Sequence, residues 1–503
     1  MVITLASKVI GFGRDVFLSY YFGATEISDA YLISLTVPEV IFSFIIIGIV
    51  TAYIPMQSRV VEEYGIDAGN EYTSNFINTI FVIAFGVFLL LFTFTEPIVK
   101  LFALGFSGDT LRMAVLFTRI TLFGMFFTIL VNIFSGYLQI NNNYITPALS
   151  GFPFNIIVIG SIIVASRGNY VVLALGTLLA TASQIVPLIP AIKKLNFKYL
   201  FRINFRDEKI KKTLLIAIPV IIGTSVNQIN KLVDRTIASS LAIGGISALN
   251  YASRLNLFIQ GLFVTSIITV MYPLISSYAS KNKIDEIKRV LLEYINIVII
   301  ILLPITIGTV IFNREIIELL FGRGLFDDVA IQMTSSALLF YSIGMLGFGL
   351  REVLARGFYS IQDTKTPMIN AAIGMILNII LNILLSKILG IGGLALATSI
   401  SAIFTTILLF VSLRKRIGSF GIKQIGVTFI KTLFSASVMG LISKIGYNYL
   451  INSLPQNISL LISIATGAIS YLLMMLFMRI KEVDSITEVI KSKLGNIVHR
   501  NRR

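Results

Sequence analysis

The sequence predicts an all-α polytopic membrane protein with about fourteen transmembrane helices, arranged as two pseudo-repeated six-helix lobes and a C-terminal helix pair. Of its 503 residues, 56% are hydrophobic and 13% are charged, and the mean hydropathy is +0.88. Apolar runs of about 20 residues, the length that crosses a bilayer, recur from one end of the chain to the other. A water-soluble core could not hide so much apolar sequence, so the bilayer must be the solvent.

Each predicted span is an apolar run bounded by charged or turn-forming residues. The approximate limits are 2–22, 31–55, 74–95, 112–138, 146–166, 170–191, 213–237, 247–274, 290–312, 331–359, 367–388, 392–413, 425–448 and 457–479. The first run contains charges and is not followed by a small-residue cleavage site, which predicts a mature span and not a signal peptide. The predicted divisions are an N-lobe (1–192), a cytoplasmic basic linker (193–212), a C-lobe (213–415), a C-terminal helix pair (416–480) and a basic cytoplasmic tail (481–503).

The net charge of +16 is unevenly distributed. Basic residues concentrate in the connections after the sixth, eighth and twelfth spans and in the tail, so the positive-inside rule places these segments and both termini in the cytoplasm. Basic connections of this kind orient a membrane protein and contact anionic lipids, and we therefore predict no nucleic-acid partner. The sequence contains no cysteine, which excludes disulfides and thiolate metal sites.

The two halves of the chain are similar in pattern. An offset of 220 positions aligns Asp234 and Arg235 with Arg14 and Asp15, and Tyr251 with Tyr31. Many transporters are built from internal repeats, with the substrate path between the two halves. The last two spans have no counterpart in this repeat.

Ionisable residues inside the predicted spans are the main functional signal. A charge near the bilayer centre costs at least about 2.5–3.5 kcal/mol, so each one is a candidate functional group. The set comprises Lys8, Arg14, Asp15, Glu39, Lys231, Asp234, Arg235, Arg254, Arg351, Glu352 and Arg356. Cations outnumber anions, and a water-filled cavity with excess positive charge selects an anion. Arginine suits phosphate in particular, because its planar fork binds two oxygens at once.

Some of these charges also have a structural interpretation. Glu352 and Arg356 lie four residues apart and can form an ion pair near the cytoplasmic end of their span. Lys8 and Asp15 lie within about 20° of each other on a helix, so one face of the first span is polar and should line a cavity. We expect structural roles for the charges at 351–356 and functional roles for the deeper charges.

The sequence shows no phosphate-binding loop, nucleophile elbow or metal-binding cluster. No connection is long enough to hold a nucleotide-binding domain. We therefore expect a carrier and not an enzyme, driven by an ion gradient, the membrane potential or consumption of the product.

Several motifs resemble one family. They are SKVIGFGRD at residues 7–15, YFG at 21–23, DAY at 29–31, YASRL at 251–255, GFYS at 357–360 and DTKTP at 363–367. They are similar to the lipid II flippases of the MurJ/MviN family, within the superfamily of multidrug and oligosaccharidyl-lipid exporters. This resemblance covers the whole chain and implies two six-helix lobes around a cationic central cavity. It also implies that the final helix pair forms a groove for a lipid tail.

The resemblance implies roles for individual residues. Arg14 and Arg254 match arginines that hold the substrate diphosphate, Asp15 matches the acidic partner of the first, and Lys8 stands where arginine is usual. A sodium site maps onto Asp234, Asn378, Asn382, Thr398 and the Leu394 carbonyl, with Asn382 in place of a carboxylate. Oxygen ligands suit a hard cation. The residues alone allow Asp234 to form a structural ion pair with Lys231 or Arg235 equally well.

The second span departs from the family pattern. After the proline that is Pro38 here, the family usually has two basic residues and then a Gly-Glu-Gly stretch. This chain has Phe42 and Ser43 at the basic positions and IIGI at residues 46–49. A cavity arginine and a glutamate are therefore missing.

We predict a flippase that moves lipid II, an undecaprenyl-diphosphate-linked peptidoglycan precursor, from the cytoplasmic to the outer leaflet by alternating access. A flippase for another undecaprenyl-linked oligosaccharide, of the O-antigen or capsule type, is the first alternative. An ion-coupled multidrug exporter is the second, and the cationic cavity disfavours it. The expected partners are the lipid-linked sugar diphosphate and membrane lipids, with sodium as the candidate coupling ion. We expect a monomer in the bacterial inner membrane.

Overall fold

The computed structural model describes residues 2–48 and 52–480, and within these ranges the chain is helical with no β-strand. The predicted all-α fold is therefore confirmed. The predicted basic tail, 481–503, lies outside the described residues.

The first ten helices extend to the end of the predicted N-lobe. They are α1 (Val2–Phe22), α2 (Glu26–Gly48), α3 (Ile54–Thr93), α4 (Thr95–Phe102), α5 (Gly108–Leu122), α6 (Gly124–Ile140), α7 (Ile145–Leu149), α8 (Gly151–Ala165), α9 (Val171–Ser183) and α10 (Ile185–Lys194). Several predicted spans are formed by two successive helices, as in α5 with α6 and α9 with α10.

Ten further helices follow the linker. They are α11 (Glu208–Leu241), α12 (Gly245–Ile259), α13 (Thr265–Ser280), α14 (Ile284–Ile311), α15 (Asn313–Phe321), α16 (Asp328–Ser360), α17 (Lys365–Leu389), α18 (Ile391–Ile417), α19 (Ile422–Leu450) and α20 (Gln456–Phe477). A π-helical turn, Gln260–Val264, joins α12 to α13.

In the described part of the chain, 11 helical segments are long and apolar enough to cross a membrane. They coincide with predicted spans, and the chain is a multi-pass membrane protein. Helices α1, α2 and α11 occupy the remaining three predicted positions. These are the helices that carry Arg14, Glu39 and Asp234. The total of fourteen spans stays a prediction.

Helix α3 begins at Ile54, well before the predicted limit at residue 74. Its early part was predicted as a connection because it is polar. An ion pair between Arg59 and Glu63 at 2.6 Å, one turn apart, supports helix there. Gly65 interrupts the helical conformation with φ 87° and ψ 174°, a backbone geometry that glycine adopts without a side-chain clash. The connection is therefore a helix with a kink.

The basic linker is fixed along α3. Asn75 accepts a hydrogen bond from the Asn204 backbone N–H at 2.8 Å and donates to the Asn204 carbonyl at 3.2 Å. Asn78 donates to the Arg202 carbonyl at 2.9 Å. These side-chain amides satisfy backbone N–H and C=O groups of a segment that has no secondary structure of its own.

The predicted repeat has a local counterpart in two helix breaks. Helix α3 ends at Phe94 with φ −100° and ψ 28°, and the short helix α4 follows. Helix α14 ends at Phe312 with φ −113° and ψ 25°, and the short helix α15 follows. Equivalent breaks at equivalent places support a duplicated architecture.

The chain divides into two compact units. Unit 1 comprises Met1–Tyr251 and Phe321–Met333, and unit 2 comprises Ala252–Leu320 and Thr334–Arg503. Helix α11, predicted as the first helix of the C-lobe, is grouped in unit 1, where it contacts α2, α3 and α4. The predicted lobe boundaries stay a prediction.

The C-terminal helix pair, α19 and α20, packs closely within unit 2. A Cβ atom added to Gly467 would lie 2.0 Å from the Ser443 hydroxyl, so a larger residue would force that side chain to shift. Tyr471 on α20 donates a hydrogen bond to the Ile300 carbonyl on α14 at 2.7 Å. The pair is therefore fixed to α14.

Candidate functional site

Arg14 on α1 is held from two sides. Its Nη2 lies 3.1 Å from Asp15 Oδ1, and its guanidinium carbon lies 5.8 Å from the centre of the Phe154 ring on α8. Its Nε also approaches Asp15 Oδ1, at 3.4 Å, whereas Nη1 makes no hydrogen bond to a described residue. The side chain of Arg14 is 18% exposed and that of Asp15 is 6% exposed. Arg14 is thus oriented by its neighbours and still has donor capacity.

The surroundings of Arg14 depend on close packing of α1 against α8. A Cβ atom on Gly11 would lie 3.6 Å from Asn155 Oδ1, which is ordinary contact. A Cβ atom on Gly151 would lie 2.4 Å from the Ser7 hydroxyl, which forces a shift. Lys8 is exposed on α1, whereas Asp15 is buried. The polar face predicted for this helix therefore has one open end and one packed end.

Glu39 on α2 and Lys231 on α11 form an ion pair within unit 1. Lys231 Nζ lies 2.5 Å from Glu39 Oε1, and the two side chains are 45% and 56% exposed. Arg235, one turn further along α11, donates to the Ile246 carbonyl at 2.8 Å and to Asn250 Oδ1 at 3.0 Å. Lys231 is therefore engaged by Glu39, and Arg235 fastens α11 to α12.

Asp29 on α2 binds the start of α12. Its Oδ1 accepts hydrogen bonds from the Ser247 backbone N–H at 2.7 Å and from the Ser247 hydroxyl at 2.6 Å. Its Oδ2 accepts from the Gly244 N–H at 2.9 Å. A carboxylate at a helix N-terminus satisfies unpaired N–H groups and complements the helix dipole. Asp29 is buried, with both oxygens bonded, so its role is structural in this arrangement.

Four of the five predicted sodium ligands lie together in unit 2. Asn382 donates to Asn378 Oδ1 at 3.0 Å, and Asn378 donates to the Thr398 hydroxyl at 3.2 Å. That hydroxyl donates to the Leu394 carbonyl at 3.0 Å. We call these four residues the oxygen cluster. It carries no formal charge, and the fifth predicted ligand, Asp234, is half-buried in unit 1.

The oxygen cluster suits a hard cation in its chemistry. Amide, hydroxyl and backbone carbonyl groups of α17 and α18 are linked here by successive hydrogen bonds, so three kinds of neutral oxygen lie in one chain of contacts. Asn378 Oδ1 accepts one hydrogen bond in the described contacts, from Asn382, and so retains a second lone pair. Asn378, Asn382 and Leu394 are almost fully buried. A bound cation would therefore be shielded from water.

The remaining predicted charges lie in unit 2. Arg254 on α12 is exposed. The expected pair between Glu352 and Arg356 is not among the described ion pairs. Instead, the Arg356 guanidinium lies 5.7 Å from the centres of both the Tyr272 and Tyr359 rings. Cation–π contacts with two tyrosines therefore hold Arg356, where an ion pair with Glu352 was expected.

A cavity of about 290 Å³ lies where α14 meets the cytoplasmic ends predicted for α19 and α20. Lys423, Lys431 and Arg479 line it together with Asn296. Lys431 donates to the Met478 carbonyl at 2.8 Å. This basic cavity accompanies the helix pair for which a lipid-tail groove was expected.

A family model described as lipid II flippase MurJ matches residues 18–480. The chain belongs to this family. One relative is a probable lipid II flippase MurJ of Buchnera aphidicola subsp. Baizongia pistaciae, 30% identical over 420 residues, which are 81% of each chain. Another is the lipid II flippase MurJ of Burkholderia cenocepacia, 28% identical over 425 residues, which are 82% of each chain.

Solved structures agree with the family assignment. A lipid II flippase MurJ in an inward closed conformation matches with a TM-score of 0.83 and 28% identity, covering 95% of this chain and 98% of that one. An inward-facing multidrug resistance MATE family transporter of the MOP superfamily matches with a TM-score of 0.70 and 13% identity, covering 83% and 98%. The second likeness shows the fold alone. The family comprises transporters, so the predicted carrier is confirmed and an enzyme is not indicated.

Two features of this family member were not predicted from its sequence. Asp29 was noted only as part of a motif, and its partners Gly244 and Ser247 lie more than two hundred residues away. Glu39 was noted as a charge inside the second predicted span, and no partner was named for it. The helix start after Gly244 was a usable signal, because an N-terminus near the membrane surface needs a cap.

Proposed function

We propose that the chain moves lipid II from the cytoplasmic to the outer leaflet of the bacterial inner membrane by alternating access. The single observation that carries this proposal is the family match over residues 18–480. The state of Arg14 supports it, because a partly exposed guanidinium with a hydrogen-bonding nitrogen to spare is what a diphosphate requires.

Some of these residues contact the substrate, and others hold the contacting side chains in position. Arg14 contacts the diphosphate through its fork, and Asp15 with Phe154 fixes the plane of that fork. Arg254 and Lys8 are exposed cations that add charge-assisted contacts. No covalent bond is made or broken. Transport therefore requires only that these non-covalent contacts form on one side of the membrane and break on the other.

Growth complementation tests the proposed substrate. A cell depleted of its own lipid II flippase should grow when it expresses this chain. If the chain is inserted at normal levels, fails to support growth and instead restores export of another undecaprenyl-linked saccharide, the alternative substrate is correct. Release of a fluorescent drug without either activity would indicate a multidrug exporter.

Sodium is the proposed coupling ion, and the oxygen cluster with Asp234 is its proposed site. Asn378, Thr398 and the Leu394 carbonyl would supply neutral oxygens, and Asp234 would supply the charge. When bound, sodium would link its own gradient to the change between access states. Its binding is measurable without transport, through the stability of the purified protein.

We also propose that both termini are cytoplasmic and that the protein is a monomer. The absence of cysteine makes the orientation directly testable, since each introduced cysteine is the sole thiol. Lys283→Cys, between α13 and α14, should react only with a permeant reagent in intact spheroplasts. Arg167→Cys, between α8 and α9, should also react with an impermeant one. The reverse pattern would overturn the orientation, and the mass of the purified particle tests the monomer.

A further inference from the structure

The ion pair of Glu39 and Lys231 lies in the middle of two membrane helices. Glu39 is thirteen residues from the start of α2, and Lys231 is ten residues from the end of α11. At 1.5 Å per residue, each is roughly 15–20 Å from that helix end. The predicted topology puts both of these ends on the outer side. The pair therefore lies near the centre of a hydrocarbon layer of about 30 Å.

At that depth, energetics favour contact of this pair with water over contact with hydrocarbon. The two side chains are 45% and 56% exposed, and charged groups facing hydrocarbon there would cost at least about 2.5–3.5 kcal/mol each. Neither side chain has a second hydrogen-bond partner among the described residues. An ion pair open to water is worth only about 0.2–1 kcal/mol. Lys231 can therefore leave Glu39 at little cost when a stronger anion arrives.

Helix α2 has no basic residue of its own beside this pair. The helix Glu26–Gly48 contains no lysine or arginine, and the position one helical turn beyond Glu39 on the same face is Ser43. Lys231 approaches this region of α2 from α11. It thus brings a cation close to the place where α2 itself lacks one.

We propose that Lys231 is a substrate-contacting residue, which exchanges Glu39 for the diphosphate of the lipid substrate. This rests on the proposed function. A diphosphate carries more charge and more acceptor oxygens than one carboxylate, so it competes effectively for the ammonium group. Glu39 is the counter-ion that holds Lys231 when no substrate is bound. The lysine supplied by α11 is the cation on this face of α2, which carries none of its own.

Opposite effects of two neutral variants test this exchange. The affinity of the purified full-length chain for lipid II is measured in nanodiscs of neutral phospholipid. Lys231→Gln should lower the affinity about tenfold, since one charge-assisted contact is lost. Glu39→Gln should raise it about threefold, since the competing carboxylate is removed. Lys231→Arg should retain most of the affinity.

A second ion pair provides the matched control. Lys100 and Glu96 on α4 lie 2.9 Å apart, with side chains 52% and 55% exposed. Lys100→Gln and Glu96→Gln should leave the affinity for lipid II unchanged.

The two proposals fail in different ways. A wild-type chain that does not bind lipid II would overturn the proposed function, and the role of Lys231 with it. If the wild type binds and both Lys231→Gln and Glu39→Gln weaken binding, the pair is a structural contact and only the role of Lys231 is overturned. An unchanged affinity in Lys231→Gln would have the same meaning.

Discussion

The charged groups of unit 1 and the oxygen cluster of unit 2 differ in how far they are buried and in the groups to which they bond. In unit 1, Arg14 and Lys231 each have one carboxylate partner and remain partly exposed. In unit 2, Asn378 and Asn382 are almost fully buried and bond to neutral groups. The first arrangement leaves cations able to accept another anion. The second holds neutral polar groups in a buried chain of hydrogen bonds.

This difference indicates two kinds of ligand. A large polyanion needs charges that can be approached from solvent, and those charges are costly to keep in the membrane unless they face water. A small cation needs several oxygens at fixed positions, and burial holds them there. The proposed substrate contacts and the proposed ion contacts thus follow from exposure as much as from residue type.

The largest expected effect is that of Arg14→Ala. Loss of a charge-assisted contact to the diphosphate should cost about 2–5 kcal/mol, a reduction in transport of roughly 30-fold or more. Growth complementation should fail although the protein is inserted. Arg14→Lys should recover only part of the activity, because an ammonium group lacks the fork.

Arg119→Ala is the control for that substitution. Arg119 on α5 also lies over an aromatic ring, with its guanidinium 5.6 Å from the Phe92 centre, but it is exposed and outside the proposed site. It should support normal growth. Full activity of Arg14→Ala, or equal loss in both variants, would contradict the specific role of Arg14.

The next effect separates structural from functional charges within unit 1. Asp29 is buried, and both of its carboxylate oxygens accept hydrogen bonds from the start of α12. It differs in this from Arg14, which has a nitrogen without a hydrogen bond to a described residue. Asp29→Ala should destabilise the protein by about 1.5–3 kcal/mol, through loss of the cap and of charged hydrogen bonds. The thermal midpoint of the purified protein measures this. Asp109→Ala removes an 85% exposed carboxylate and should leave the midpoint unchanged; similar midpoints for both variants would contradict the cap.

The oxygen cluster was expected from the family resemblance, and only part of it follows from the residues themselves. Asn378 and Asn382 are four residues apart, so helix geometry alone puts both amides on one face of α17. Arg14 and Asp15 are adjacent and need no long-range packing to meet. The partners of Asp29, Lys231 and Arg356 come from other helices or from rings, and local periodicity carries no information about them.

The fold shows the same limit. Apolar length predicted the membrane helices, but it did not predict that α3 would continue through the polar segment around Gly65. The ion pair of Arg59 with Glu63 supports helix in this segment, and a hydropathy window does not detect such pairs.

Sodium binding is the third expected effect, and it tests unit 2. If the oxygen cluster and Asp234 hold the ion, sodium at ten times its dissociation constant should stabilise the folded protein by about 1.4 kcal/mol. Potassium or choline at equal ionic strength should not reproduce the shift in thermal midpoint. Asn382→Asp should bind sodium more tightly because it adds a charged oxygen.

Asp234→Asn should remove the sodium-specific shift. A wild-type chain that responds equally to sodium and choline would mean that the cluster is a structural hydrogen-bond chain. The membrane potential acting on charged groups would then be the better candidate for the driving force.

The smallest expected effect concerns the start of α17, the helix that carries the cluster amides. The Thr366 backbone N–H donates to Asp363 Oδ1 at 3.0 Å, and this hydrogen bond holds the pKa of Asp363 below its ordinary value. The stabilisation it gives is therefore complete above the pKa of the unfolded chain and is lost as the pH falls through the lower folded-state pKa. Because the carboxylate is mostly solvated, we expect a loss of only about 0.3 kcal/mol. Asp363→Asn keeps an acceptor but cannot titrate, so its thermal midpoint should fall less than that of the wild type in acid. Asp285→Asn, at a 96% exposed carboxylate near the start of α14, is the control and should follow the wild type. An acid dependence that is the same in Asp363→Asn and the wild type would show that this carboxylate does not stabilise α17.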